Sequence, residues 1–273
     1  MSVRYAILGV EGPTDQAVVG KVLKLLGFNR FGGESSAERL DPFWRPFIPA
    51  YPRSGDLYKR LDMPSIFYTA SHSVAVYGGE GSSLGRQLSR TIEARDEFRD
   101  ELDAFGVLAD ADKHDPAEVA AAYQKHFRGV FPSFPGEPGV VVGAQPRLGV
   151  FVLPNNTIKG VVEHLILECG SEVYRIHLDR AREFVTGFGE DDRKQARWGP
   201  FDEEKAVIAM VASVLKPGKT NTVSLVDNEW ISEKTRHFPM VDALARFLLE
   251  LLRTELTEGV VGSPVVATPE PDP

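Results

Sequence analysis

The stretch Val3-Arg4-Tyr5-Ala6-Ile7-Leu8-Gly9-Val10-Glu11-Gly12-Pro13-Thr14-Asp15 decides the fold. Residues 3–10 are apolar and β-rich, the length and composition of a short buried strand. Gly12-Pro13 breaks that strand, and Thr14 is a suitable helix N-cap. Beyond it Val18, Val22, Leu25 and Leu26 recur at helical spacing, with Gly27 as the C-cap. The opening unit is therefore strand, tight turn, helix. It leaves Glu11 at the carboxyl end of a buried strand and Asp15 in the first turn of the helix.

The same alternation continues downstream. Pro42, Pro46, Pro49, Pro52 and Pro64 cut residues 29–63 into extended pieces and loops. Residues 65–77 read as one strand or a hairpin. A helical pattern runs from Ser82-Ser83 to about Phe105, with Leu84, Leu88, Ile92 and Phe98 on one face and Arg86, Arg90, Glu93 and Glu97 on the other. Phe105–Ala109 is a second strand, ending at Asp110-Ala111-Asp112-Lys113. Pro116 then starts a helix to about Phe127. A Pro/Gly loop over 129–147 leads to a third strand, Leu148–Leu153, then Pro154-Asn155-Asn156-Thr157 and a helix from Lys159 to Glu168. Strands alternating with helices predict an α/β fold with a mainly parallel, Rossmann-like sheet over residues 1–169. After residue 170 helical patterns cover 172–186, 202–215 and 239–255, either a layer on the sheet or an appended subdomain, so 170–257 reads as a helical extension. Residues 187–200 read as a solvated loop, and the Pro/Val/Gly-rich tail 258–273 as disordered.

Composition bounds the function. The chain has 273 residues, 42% hydrophobic and 26% charged, as in an ordinary globular protein. With 31 basic and 39 acidic residues its formal net charge is −8, which opposes a broad basic footprint for duplex DNA but leaves room for a local basic strip. Cys169, the single cysteine, excludes an internal disulfide and a zinc site built on paired cysteines. No apolar run approaches the roughly 18 residues of a membrane helix. The N-terminal apolar run meets Glu11 too early for a signal peptide, so a cytoplasmic location is expected.

In a parallel sheet, ligands gather at the carboxyl ends of the strands. Glu11, Asp15, Asp110 and Asp112 fall there, and the two aspartates project to one side if the chain stays extended. Such carboxylates repel each other unless a cation neutralises them, and Mg²⁺ takes hard oxygen ligands of this kind. Three have a simpler reading: the helix dipole favours Asp15, and Asp110 and Asp112 suit a turn before a helix, whereas Glu11 directly follows a buried apolar strand. Lys113, His114 and Lys159, close to the acids in sequence, are candidates for steadying a substrate phosphate. Gly78-Gly79-Glu80-Gly81-Ser82 is either a phosphate-facing helix start or a plain turn. Pro217-Gly218-Lys219-Thr220 imitates the end of a P-loop, but position 213 is Ser and a helix precedes it.

Val10-Glu11-Gly12-Pro13-Thr14-Asp15 with Leu108-Ala109-Asp110-Ala111-Asp112 resembles the toprim domain of topoisomerases, bacterial primases, recombination mediators and overcoming-lysogenisation-defect nucleases. The order Tyr77-Gly78-Gly79, Asp110-Ala111-Asp112, Phe151–Asn155 and Gly160–Glu163 is similar to small stand-alone toprim-like proteins of uncharacterised function. The resemblance implies Glu11 as general acid or base and Asp110 and Asp112 as Mg²⁺ or Mn²⁺ ligands. In the nuclease branch a further acidic residue on a later helix completes a second metal site, for which Glu163 is the candidate, and Asp15 is expected to support the same ion. One cysteine and this length leave no room for a primase's or mediator's zinc module, and no topoisomerase tyrosine can be assigned. The resemblance thus implies a metal-dependent nuclease acting on DNA or RNA, by analogy in phage defence. The rival is a non-catalytic module that binds nucleotides or partners an ATPase.

Overall fold

The computed structural model describes residues 3–32, 40–45, 64–79 and 81–254. The expected tail at 258–273 and all of the proline-rich 46–63 lie outside these residues. Ten α-helices and seven strands are found among those described: β1 Arg4–Val10, α1 Pro13–Leu25, β2 Asn29–Arg30, β3 Ser65–Tyr68, β4 His72–Gly78, α2 Leu84–Glu93, α3 Asp96–Asp100, β5 Leu102–Asp110, α4 Pro116–Phe127, β6 Val141–Val142, β7 Arg147–Leu153, α5 Val162–Val173, α6 Arg175–Thr186, α7 Glu190–Gln195, α8 Asp202–Leu215, α9 Asn221–Asp227 and α10 Pro239–Leu252.

The strands form one sheet in the order β2-β3-β4-β1-β5-β7-β6. β4, β1, β5 and β7 run parallel, and the outer β2, β3 and β6 pair antiparallel. Both faces of the central strands are covered, so their sequences read as near-continuous apolar runs, as buried parallel strands do. Alternation still sorts the side chains. Ala6, Leu8, Val10, Leu108 and Phe151 face a layer made by α1, α5, α6, α8 and α10. Ile7, Phe105, Val107, Val150 and Val152 face α2, α3 and α4.

After residue 170, α6, α8, α9 and α10 share one continuous core with α1 and the sheet, and α10 crosses β5 and β7 directly. That crossing needs a flat patch. Gly106 and Gly149 are paired in register, and a Cβ on either would meet Leu251 at 2.5 Å or the Phe247 ring at 2.9 Å. The two missing side chains let a long apolar helix lie close to the strands.

Several boundaries differ from the sequence reading. The helix expected to run to Phe105 ends at Glu93, α3 follows, and Leu102–Phe105 belong to β5, where Ala104 and Phe105 pair with Ala6 and Ile7 of β1. Residues 65–77 form the β3–β4 hairpin. The 129–147 loop contributes β6, and the 187–200 segment holds α7. Gly12, not Thr14, caps α1, with Pro13 at the first helical position.

A candidate acidic active site

The chain passes from β1 to β4 on one side and then to β5 on the other, so the parallel order reverses at β1. A crevice at the carboxyl ends of the strands is expected at such a switch point. Glu11 leaves β1 there and Asp110 ends β5. Asp15 sits in the first turn of α1, only 6% exposed, and its Oδ2 accepts the Gly12 N–H at 2.8 Å. Glu163 is in the first turn of α5.

Local chemistry positions each group. After β7, the Asn155 side chain accepts the N–H groups of Thr157 and Ile158, turning the chain back. Gly160, at φ +147°, then bridges Asp112 through N–H···O contacts of 2.7 and 2.9 Å. This delays α5 to Val162, so Lys159 lies in the turn and not on the helix, and Glu163 is not one helical turn beyond it. The Val162 N–H donates to Asp110 Oδ1 at 2.8 Å. Tyr123, from α4, donates its O–H to Glu11 Oε1 at 3.0 Å.

The structure brings Asp15 and Asp110 within electrostatic reach of each other, and each of them within reach of Glu11 and Glu163. Burial, then the charges of Glu11 and Glu163, push the Asp15 carboxyl up to about 8. Burial, then Asp15, Glu11 and Glu163, push Asp110 up to about 9. What opposes these shifts is backbone N–H donation. Burial also raises Glu11, against the Tyr123 hydrogen bond and with the charge of Asp112. Burial raises Glu163, opposed by an N–H donor and by Lys205 and His164. Buried Glu163 Oε2 has no hydrogen-bond partner.

Asp112 departs from the expected geometry. The chain does not stay extended past Asp110: Asp112 is at φ +51°, in the left-handed region, and its side chain is exposed. It stands on the rim of a cleft of about 380 Å³ whose walls include Glu11, Asp110, His114, Tyr123 and His126. Lys113 and Lys159 are exposed and flank the two bridged residues. The Gly79 and Gly81 N–H groups donate to the Val10 and Glu11 carbonyls, so this segment is a turn with those donors used. Thr220 caps α9, with its Oγ1 accepting the Val223 N–H at 3.4 Å, and Lys219 lies in the turn before it, not in a P-loop. Sequence reasoning missed Tyr123: it continues the apolar stripe of Pro116, Ala120 and Phe127 on α4, and only its O–H leaves the core.

Among the described residues no three His, Cys, Asp or Glu side chains form a ready-made metal cage. The donor set nonetheless fits a hard divalent cation: the groups are all carboxylates, one buried oxygen is unpartnered, and Mg²⁺ is usually held by one or two carboxylates plus waters and substrate phosphates.

Residues 5–253 match the family described as "Protein of unknown function (DUF3226)", and the chain belongs to that family. No curated protein matches it. Among solved structures it is similar to the crystal structure of hypothetical protein PH0156 from Pyrococcus horikoshii OT3, with a TM-score of 0.52 and 16% identity over 92% of this chain and 97% of that one. At that identity the likeness is one of fold. No helix among the described residues is long and apolar enough to cross a membrane.

Proposed function

We propose that this member of the DUF3226 family is a toprim-like, Mg²⁺- or Mn²⁺-dependent nuclease that hydrolyses phosphodiester bonds of DNA or RNA. The observation that carries the reading is the convergence of Glu11, Asp15, Asp110 and Glu163 at the switch point, where burial and mutual repulsion hold Asp15 and Asp110 far above the usual carboxylate range. Such strain clusters at functional sites and is relieved by a bound cation. The parallel strands reversing at β1, with Glu11 and Asp110 at adjacent strand ends, support the toprim-like fold.

Asp110 and Asp15, with Glu163 acting through water, would hold the cation, which would supply charge neutralisation at the phosphoryl group and acidification of water. Glu11, held by Tyr123 and lining the cleft, would take a proton from the attacking water as its oxygen bonds to phosphorus and the P–O bond to the leaving strand breaks, solvent water protonating the leaving oxygen. The Val162 N–H fixes one Asp110 oxygen and leaves the other for ligation. Lys113 and Lys159, beside Asp112 on the rim, would meet the phosphates flanking the scissile one.

The exposure of Asp112 and the lack, among the described residues, of a ready-made three-ligand cage favour a second reading: a non-catalytic module that binds a nucleotide or a partner such as an ATPase. One experiment separates the two. Purified protein is incubated with plasmid, single-stranded DNA and tRNA in EDTA, Mg²⁺ or Mn²⁺, beside Asp110→Ala. Cleavage by wild type alone, and only with metal, is expected. Cleavage retained by Asp110→Ala, or none by wild type, defeats the nuclease reading.

A further inference from the structure

α1 carries Asp15 on one side and a different surface on another. Pro13, Gln16, Lys21 and Lys24 recur at spacings of three to five residues and border a groove of about 50 Å³. Arg30 of β2, with Ser65 and Thr222, closes it, and buried Phe67 forms part of its floor. Pro13, one of the residues bordering it, lies two residues from Glu11.

Three cations gather along it in a chain whose net charge is −8. Lys21 is fixed: its Nζ donates to the Asn228 and Val226 carbonyls at 2.9 and 3.3 Å. Lys24 and Arg30 are exposed, and Arg30 Nη2 reaches Ser65 Oγ at 3.4 Å. Of the carboxylates facing Lys21, Asp227 and Glu229, the first is paired with Lys216 at 3.2 Å. The last turn of a helix favours a lysine such as Lys24 by itself, but it does not explain Arg30 on a neighbouring strand.

We propose that this groove holds the phosphates of a single-stranded nucleic acid leading to or from the acidic cleft. A narrow channel with cations on its walls and an apolar floor suits one strand, whereas a duplex needs the broad basic surface that the composition opposes. The proposal rests on the nuclease reading for the strand's destination, but its test does not require cleavage.

The test is fluorescence anisotropy in EDTA with labelled oligothymidylate, oligouridylate and a duplex, each about 12 nucleotides long. Wild type is compared with Lys24→Glu/Arg30→Glu and with the milder Lys24→Gln/Arg30→Gln. Arg175→Glu/Arg182→Glu on α6 changes the net charge equally, away from the groove. Losing two phosphate contacts lowers the slope of log affinity against log salt by about 1.4 for a single strand, and affinity by roughly tenfold at low salt. The groove variants should show this, the α6 variant should not, and the two oligonucleotides tell DNA from RNA. The proposal is overturned by wild type that binds no single strand, by duplex preference, or by folded Gln variants that bind like wild type. If single strands bind through the groove but are never cut with metal, the nuclease reading falls and the groove stands. Cutting that persists with unchanged groove-variant binding has the reverse meaning.

Discussion

Replacing Asp110 with asparagine should stabilise the metal-free protein, although it alters a buried, hydrogen-bonded residue. Asparagine keeps an oxygen for the Val162 N–H and nearly the same volume, and it turns repulsion by Asp15, Glu11 and Glu163 into amide donation. The sign follows from linkage. Asp110 rises from 3.8 to about 9 on folding, so the folded chain binds more protons than the unfolded one between those limits. Wild-type stability on this account is fullest below pH ~4 and is lost as pH rises towards ~9. Each unit is worth about 1.4 kcal/mol, an upper bound of roughly 4 kcal/mol at neutral pH. Asparagine keeps its own burial cost, which leaves a gain of about 1–3 kcal/mol. For a chain of this size that is a Tm rise of roughly 3–9 °C. Calorimetry in EDTA at pH 5, 7 and 8.5 should show the variant's advantage growing with pH, and Mg²⁺ should narrow it by stabilising wild type preferentially. A variant less stable than wild type at pH 8.5, or a pH-independent difference, would refute the repulsion argument.

Two other predictions test the supports of the site. Tyr123→Phe removes the hydrogen bond that favours ionised Glu11, so the acid limb of the cleavage–pH profile should move to higher pH; an unmoved limb in a folded variant means that Glu11 is not the titrating base. Gly149→Val drives a side chain into the Phe247 ring of α10, and urea unfolding should register a loss of about 1–3 kcal/mol at unchanged m. Wild-type stability in that variant would contradict the close crossing of α10 over β7.

β1, α1, α4 and β7 were legible because their signals are local: apolar runs of strand length, helical spacing, and proline or glycine at the breaks. Residues 102–105 misled because Leu102 and Phe105 prolong the apolar spacing of the helix before them. Pairing with β1, a partner about a hundred residues away, makes them strand. The start of α5 was misplaced for a related reason, since Gly160 is held by Asp112 and cannot enter the helix.

Within the site, the sequence by itself placed Glu11, Asp15 and Asp110 at strand ends and a helix start, because strand boundaries and turn residues are short-range features. The tertiary structure decided that Glu163 joins them, that Asp112 turns outward, and that Tyr123 reaches across from α4 to hold Glu11. It also decided the titration of the group. Burial and the field of neighbouring carboxylates depend on which strand ends the sheet order brings together, and that order is set by packing across the two faces of the sheet.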